Sequence, residues 1–206
     1  MRGIMCSVVI ALLVVAGDPV SASIPLPPPD AVACDFVTGG GFIVGSGTPP
    51  PPPEEPSSLA AGAKANFGVG GGVKNGAFWG HLEYNDHSTR PPMRVHGTNV
   101  TGYAFGPNPG TDRIITGTAQ VNGADGFTYA VQVTDGGEPG RGVDRFSIDV
   151  FDASGAEIYE AGFTYGDGPI AGGNIQLHPG NPSSTRCCRR ACRYSASTKS
   201  SSRRRP

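Results

Sequence analysis

The chain has 206 residues, of which 32 are Gly and 20 are Pro, with 37% apolar and 16% charged residues. Gly and Pro are the poorest helix formers, and Gly follows no strict three-residue period, so long-helix and collagen architectures are excluded. The net charge of −1 conceals two opposed regions: residues 1–178 carry 8 Lys and Arg against 17 Asp and Glu, whereas residues 179–206 carry 8 Lys and Arg and no acid. An acidic body argues against a nucleic-acid partner, whose phosphates must be met by Lys and Arg, and is compatible with cations such as Ca²⁺.

Residues 1–22 have the pattern of a signal peptide. Arg2 gives a minimal positive start, residues 4–17 form an uncharged, mostly apolar stretch, and Val20-Ser21-Ala22 is a small-residue site, so cleavage is expected after Ala22. The apolar stretch is shorter than the ~20 residues a bilayer span needs. No second long apolar run follows, so a secreted protein, extracellular or at the cell surface, without a membrane span is expected. Export leaves Cys34, Cys187, Cys188 and Cys192, for which three disulfide pairings exist in an oxidising compartment. The adjacent pair Cys187–Cys188 is geometrically poor.

A Pro-rich lead-in (23–33) precedes the body, and a second Pro-rich run (48–56) interrupts it. Five consecutive prolines favour extended polyproline II, read here as a stiff exposed loop. Residues 34–178 are a single β domain. Short apolar or alternating segments bounded by Gly, Asn, Asp and Pro predict strands at 35–43, 65–69, 78–86, 93–97, 101–105, 113–121, 127–134, 145–151, 157–163 and 174–178. The clearest alternation puts Phe127, Tyr129, Val131 and Val133 on one face. Residues 122–126 (NGADG) are predicted to be the hairpin loop before that strand. About ten short strands indicate an all-β, antiparallel β-sandwich of jelly-roll-like type with Pro-rich N-terminal and Ser/Arg-rich C-terminal flanks. Residues 183–206 contain no Val, Ile, Leu or Phe, so a disordered basic tail is expected over 179–206. The abrupt change fits a polybasic arm for an anionic cell-surface polymer or a shifted reading frame in a GC-rich gene.

Two stretches carry candidate chemistry. In 80–87 (GHLEYNDH), a regular strand puts His81, Glu83, Asn85 and His87 on one face and Leu82 and Tyr84 in the core. Imidazole and carboxylate together suit Zn²⁺, and the wet face of a half-buried strand has the same pattern. A transition metal would need further ligands, for which His96 and His178 are the remaining histidines. In 134–144 (TDGGEPGRGVD), Asp135, Glu138 and Asp144 offer hard oxygens to Ca²⁺, although the spacing is not that of an EF-hand and a Gly/Pro/Asp-rich hairpin loop has this composition too. Trp79 falls on the polar face of its strand, where an exposed indole would stack on a sugar. There is no Gly-x-Ser-x-Gly elbow, phosphate loop or reactive mature Cys.

Taken in order, 37–43 (VTGGGFI), 64–68 (KANFG), 82–87 (LEYNDH), 121–123 (VNG), 127–129 (FTY), 133–140 (VTDGGEPG), 144–148 (DRFSI) and 173–178 (GNIQLH) resemble the post-COAP domain, the bacterial module that follows a choice-of-anchor P domain in secreted and surface proteins. The resemblance covers residues 35–178 and implies an exported, β-rich accessory domain; it carries no catalytic residues over. The chain departs from that pattern in lacking an evident preceding anchor domain, in the Pro run at 49–53 and in its tail. The expectation is a non-enzymatic binding or structural module of the cell envelope, whose partner is a glycan, an envelope component or another extracellular protein domain. The alternatives are a metal-dependent hydrolase built on His81, Glu83 and His87, or a calcium-stabilised adhesion-type domain.

Overall fold

The computed structural model describes residues 35–45, 57–74, 77–162 and 169–180. The expected signal peptide, both Pro-rich runs, Cys34, Cys187, Cys188 and Cys192, and the rest of the tail from 181 lie outside them. The described residues form ten strands: β1 (Phe36–Val44), β2 (Ser57–Ser58), β3 (Lys64–Lys74), β4 (Ala77–Asp86), β5 (Met93–Phe105), β6 (Asp112–Val121), β7 (Ala124–Thr134), β8 (Arg145–Phe151), β9 (Glu157–Ala161) and β10 (Gly172–His178). They hydrogen-bond into one sheet in the order β10-β1-β3-β4-β5-β6-β7-β8-β9-β2, antiparallel throughout except for the short β2–β9 pair. No helix occurs among them, so none is long and apolar enough to cross a membrane.

The two layers of this sandwich are flanks of one curled sheet. From β3 to β9 the strands are neighbours in sequence and in space. They form an up-and-down meander, without the crossing connections of a jelly roll. β5 is the corner. Its first four residues, Met93–His96, pair with β4, while Val95–Phe105 runs alongside β6 with register shifts at Gly97/Asn99 and Val100/Gly102. Bulges bend a strand and raise its twist, so the two segments expected at 93–97 and 101–105 are one bent strand. β2, a pair of serines, carries no apolar signal in the sequence.

Alternation places one side chain in two inside the curl. Val37 and Ile43 of β1, Val69 of β3, Leu82 of β4, Ile115 of β6 and Ile148 of β8 are buried in a common core. The predicted inner face of β7 is observed, with Tyr129, Val131 and Val133 buried. The β6–β7 turn is tighter than the five residues expected. Asn122 (φ 51°) and Gly123 (φ 84°) occupy the two left-handed positions of a type I′ turn, and the strand resumes at Ala124, with the surplus residue taken up by an irregularity between Ala119 and Val121.

Aromatic side chains span the two flanks. Phe67 of β3 stacks on Phe146 of β8 with ring centroids 4.0 Å apart. Behind them the Tyr159 hydroxyl donates to Asp86 (3.0 Å) and lies 2.7 Å from the Tyr84 hydroxyl. Asp86, fully buried, also accepts from the Ser88 backbone N–H and hydroxyl. At the other end Asp35 accepts from the Arg113 guanidinium and, at 2.9 Å, from the Tyr103 hydroxyl. Burial raises the phenol pKa of Tyr159, reinforced by Tyr84 and Asp86, and that of Tyr103, reinforced by Asp35. Burial alone pushes Tyr129 up to about 12, and its hydroxyl has no hydrogen-bond partner among the described residues.

These three phenols predict an alkaline limit. Below pH ~10 they are protonated in both folded and unfolded chains. Above it only the unfolded chain ionises, so stability falls as pH rises, by up to about 1.4 kcal/mol per pH unit for each tyrosine. Urea unfolding across this range is expected to show a slope that shrinks in Tyr159→Phe. At neutral pH Tyr159→Phe should cost about 1–3 kcal/mol, because it strips Asp86 and Tyr84 of a partner, whereas Tyr129→Phe should be neutral or stabilising. Equal losses for both would contradict the network.

Candidate functional site

The outer face of β10, β1, β3 and β4 is laid out in rows that cross the strands. The first row runs His178, Phe36, Gly72, Trp79. Because Gly72 contributes no side chain, Phe36 and Trp79 close over it, with ring centroids 5.7 Å apart; a methyl group there would overlap Phe36 and press on the indole nitrogen. His178 stacks on the other side of Phe36 at 4.5 Å, and its Nε2 lies 2.8 Å from the Thr38 hydroxyl. The result is an aromatic ridge across four strands.

The second row is Gln176, Thr38, Gly70, His81, and the third is Asn174, Gly40, Gly68, Glu83, His96, Gln120. The fourth is Gly172, Phe42, Asn66, Asn85, Arg94. In the third row, at Gly40 and Gly68, the surface therefore drops to backbone. Nothing lies within 4 Å of where a side chain at Gly68 would begin, and His81 lies over Gly70. A depression of about 370 Å³ opens here, with Asn66, Gly68, Glu83, Asn85 and Arg94 among its lining residues. Lys64 sits over the Phe42 ring, 4.0 Å from its centroid.

This geometry places the predicted His/Glu residues on the outer face of β4 and just past its end, but does not gather them into a metal centre. Glu83 is taken by His96 of β5, whose Nδ1 donates to its Oε1 at 2.5 Å. His87 lies 3.0 Å from the Asn66 side-chain oxygen and 3.4 Å from the Asn85 amide. His178 belongs to the aromatic ridge. Asp86, one residue out of phase with the polar face, points into the core.

The 135–144 loop engages the outer edge of β10. Asp144 is fully buried; it accepts from the Ile175 N–H at 2.7 Å and the Gly136 N–H at 2.9 Å. Asp135 accepts from the Leu177 N–H at 2.8 Å and from Gly137 N–H at 3.1 Å. Glu138 accepts from the Asn174 amide at 2.9 Å, and the Asn174 oxygen accepts from the Gly140 N–H. An edge strand presents unpaired N–H groups, and here carboxylates of a loop stand in for the missing neighbour. The three calcium candidates are thus engaged as a latch, each turned toward N–H donors.

Among the described residues, one group of three or more metal-type side chains has donor atoms within 4.8 Å of one another: Asp149, Glu157 and Glu160 of β8 and β9. None of the candidates belongs to it. Asp149 faces Glu160 in register, and a shift between Val150 and Phe151 brings Glu157 alongside. On ideal strands Glu157 and Glu160, three apart, would face opposite ways, so alternation gives no sign of this group. Asp149 and Glu160 are buried and Glu157 is half-buried. The aromatic ridge had one partial signal, the parity of Trp79, because its other members come from β1 and β10 and meet only through strand register.

Compared with known proteins, the chain matches no family model, no curated protein and no solved structure.

The latch yields a direct test. Asp144→Ala removes the acceptor for two N–H groups, and a loss of about 2–4 kcal/mol is expected in urea unfolding, from the ~1–3 kcal/mol cost of each buried group left unpaired. Millimolar Ca²⁺ should leave the melting temperature unchanged, since native-state ligands raise it. A clear rise that Asp144→Ala abolishes would restore the loop to a cation role.

Proposed function

We propose that this protein is an exported, non-enzymatic binding module of the cell envelope, and that it binds through the outer face of β10, β1, β3 and β4. The observation that carries this reading is the ridge of Phe36, Trp79 and His178 beside the side-chain-free strip at Gly40 and Gly68. Interfaces draw most of their affinity from aromatic anchors held rigid by their surroundings, and the sheet register supplies that rigidity. The opposite face of the same strands is occupied by the core. The leader pattern at 1–22 and the resemblance to the post-COAP module support the export and envelope parts of the proposal.

Two measurements test it. N-terminal sequencing of protein from the culture medium of an expressing bacterium should begin at Ser23; an intracellular chain that keeps Met1 would end the export reading. Co-sedimentation of the full mature chain with purified bacterial cell-wall material should pellet the protein, and Trp79→Ala, which empties one end of the ridge without touching the core, should weaken pelleting about tenfold, the ~1.4 kcal/mol typical of losing an anchor side chain. Pelleting that the variant leaves unchanged would move the binding surface elsewhere.

A further inference from the structure

We infer that the strip between the aromatic ridge and Phe42 is a binding trough for an extended neutral polysaccharide running along β1 and β3; this rests on the binding face proposed above and names its ligand class. The dimensions follow from the sheet. Phe36 and Phe42 stand on the same face of one strand, six residues apart, which is about 20 Å at the usual rise per residue. β10 and β4 flank the strip on either side, three strand spacings apart, or about 14 Å. Between the two rings Thr38 stands on β1 and His81 lies over Gly70, and the bare floor is Gly40 and Gly68, with nothing within 4 Å of a side chain's start at Gly68 and only neighbouring backbone, at 3.5 Å, near one at Gly40. A linear chain of several sugar rings fits a shallow trench of this length, whereas a small molecule would leave most of it empty.

The chemistry of the walls selects the class. At one end the trough abuts the face-forming rings of Phe36, Trp79 and His178, and at the other Phe42. Rings of this kind cover the C–H faces of pyranoses as they cover other apolar surface. Around the bare floor stand Gln176 of β10, Thr38 of β1, Asn66 of β3, and His81 and Asn85 of β4. Amides and hydroxyls both donate and accept hydrogen bonds, which matches sugar hydroxyls, themselves donors and acceptors. The carboxylate of Glu83 is paired with His96, and the ammonium of Lys64 lies over Phe42. Arg94 lines the depression as well, so charges of both signs stand around it rather than the dense field of one sign that a highly charged polymer would require. An extended peptide would seek an open strand edge for its backbone groups, and this site is the middle of a sheet whose N–H and C=O groups are already paired.

Gly68 separates a binding role from a structural one. A side chain there meets nothing within 4 Å, and Gly is a weak residue inside a strand, so Gly68→Gln should leave the melting temperature unchanged or slightly raised while filling the trough. The experiment is affinity electrophoresis of the full mature chain in gels containing hydroxyethylcellulose, galactomannan, soluble xylan or glycol chitin, with polygalacturonate as the anionic control. Retardation is expected in at least one neutral polysaccharide, absent in polygalacturonate, and weakened about tenfold or more by both Gly68→Gln and Trp79→Ala. Retardation that survives Gly68→Gln, or that occurs only with polygalacturonate, would overturn the assignment. No retardation in any gel, while cell-wall pelleting still depends on Trp79, would overturn the polysaccharide class and leave the binding face standing; loss of both would remove both.

Discussion

The stack of Phe67 on Phe146 is the contact on which the rest of this fold depends. A chain with so much Gly and so few large apolar residues has little material for a core, and a sheet with an apolar face must cover it. Here a single sheet covers itself. The bulged strand β5 bends the meander until β3 and β4 lie against β8 and β9, and aromatic rings, which bury the most area per residue, fill the space between. Tyr84, Tyr159 and Asp86 add a hydrogen-bonded chain across the same gap. In a buried setting such a chain is specific as well as cohesive, because any other closure would leave its polar atoms unpaired.

Closure by curling leaves two edges, and the β10 edge is managed by carboxylates. Asp135 and Asp144 take backbone N–H groups of β10 that a further strand would otherwise have taken. A loop whose composition suits a cation site thereby serves the sheet. The same residue types satisfy both roles because a carboxylate accepts N–H hydrogen bonds as readily as it ligates a hard ion; the difference lies in which partner stands opposite, and that is a matter of tertiary placement.

Glycine has two consequences on the outer face of the first flank. At Gly72 its lack of a side chain lets Phe36 and Trp79 meet across an intervening strand. At Gly40 and Gly68 it leaves the sheet bare. Ridge and strip are products of one feature, the run of small residues shared by β1 and β3, and together they turn the face of a sandwich into a shaped surface without any loop being involved.

Much of this architecture is written locally. Alternation along a strand is a property of consecutive residues, so the inner faces of β4 and β7, the presence of a hairpin within 122–126 and the all-β class follow from the sequence alone. The candidate residues His81 and Glu83 fall on the outer face of β4 for the same reason. What only the tertiary structure decided is everything that depends on which strand lies beside which. The fusion of two expected segments into the bent β5, the pairing of Glu83 with His96, the latch of Asp144 on Ile175, the gathering of Asp149, Glu157 and Glu160, and the row that sets Phe36 beside Trp79 and His178 all join residues distant in sequence. Period two tells each side chain which way to point, but register between strands is set by bulges, turns and core packing acting together, and those are properties of the closed sheet rather than of any one segment.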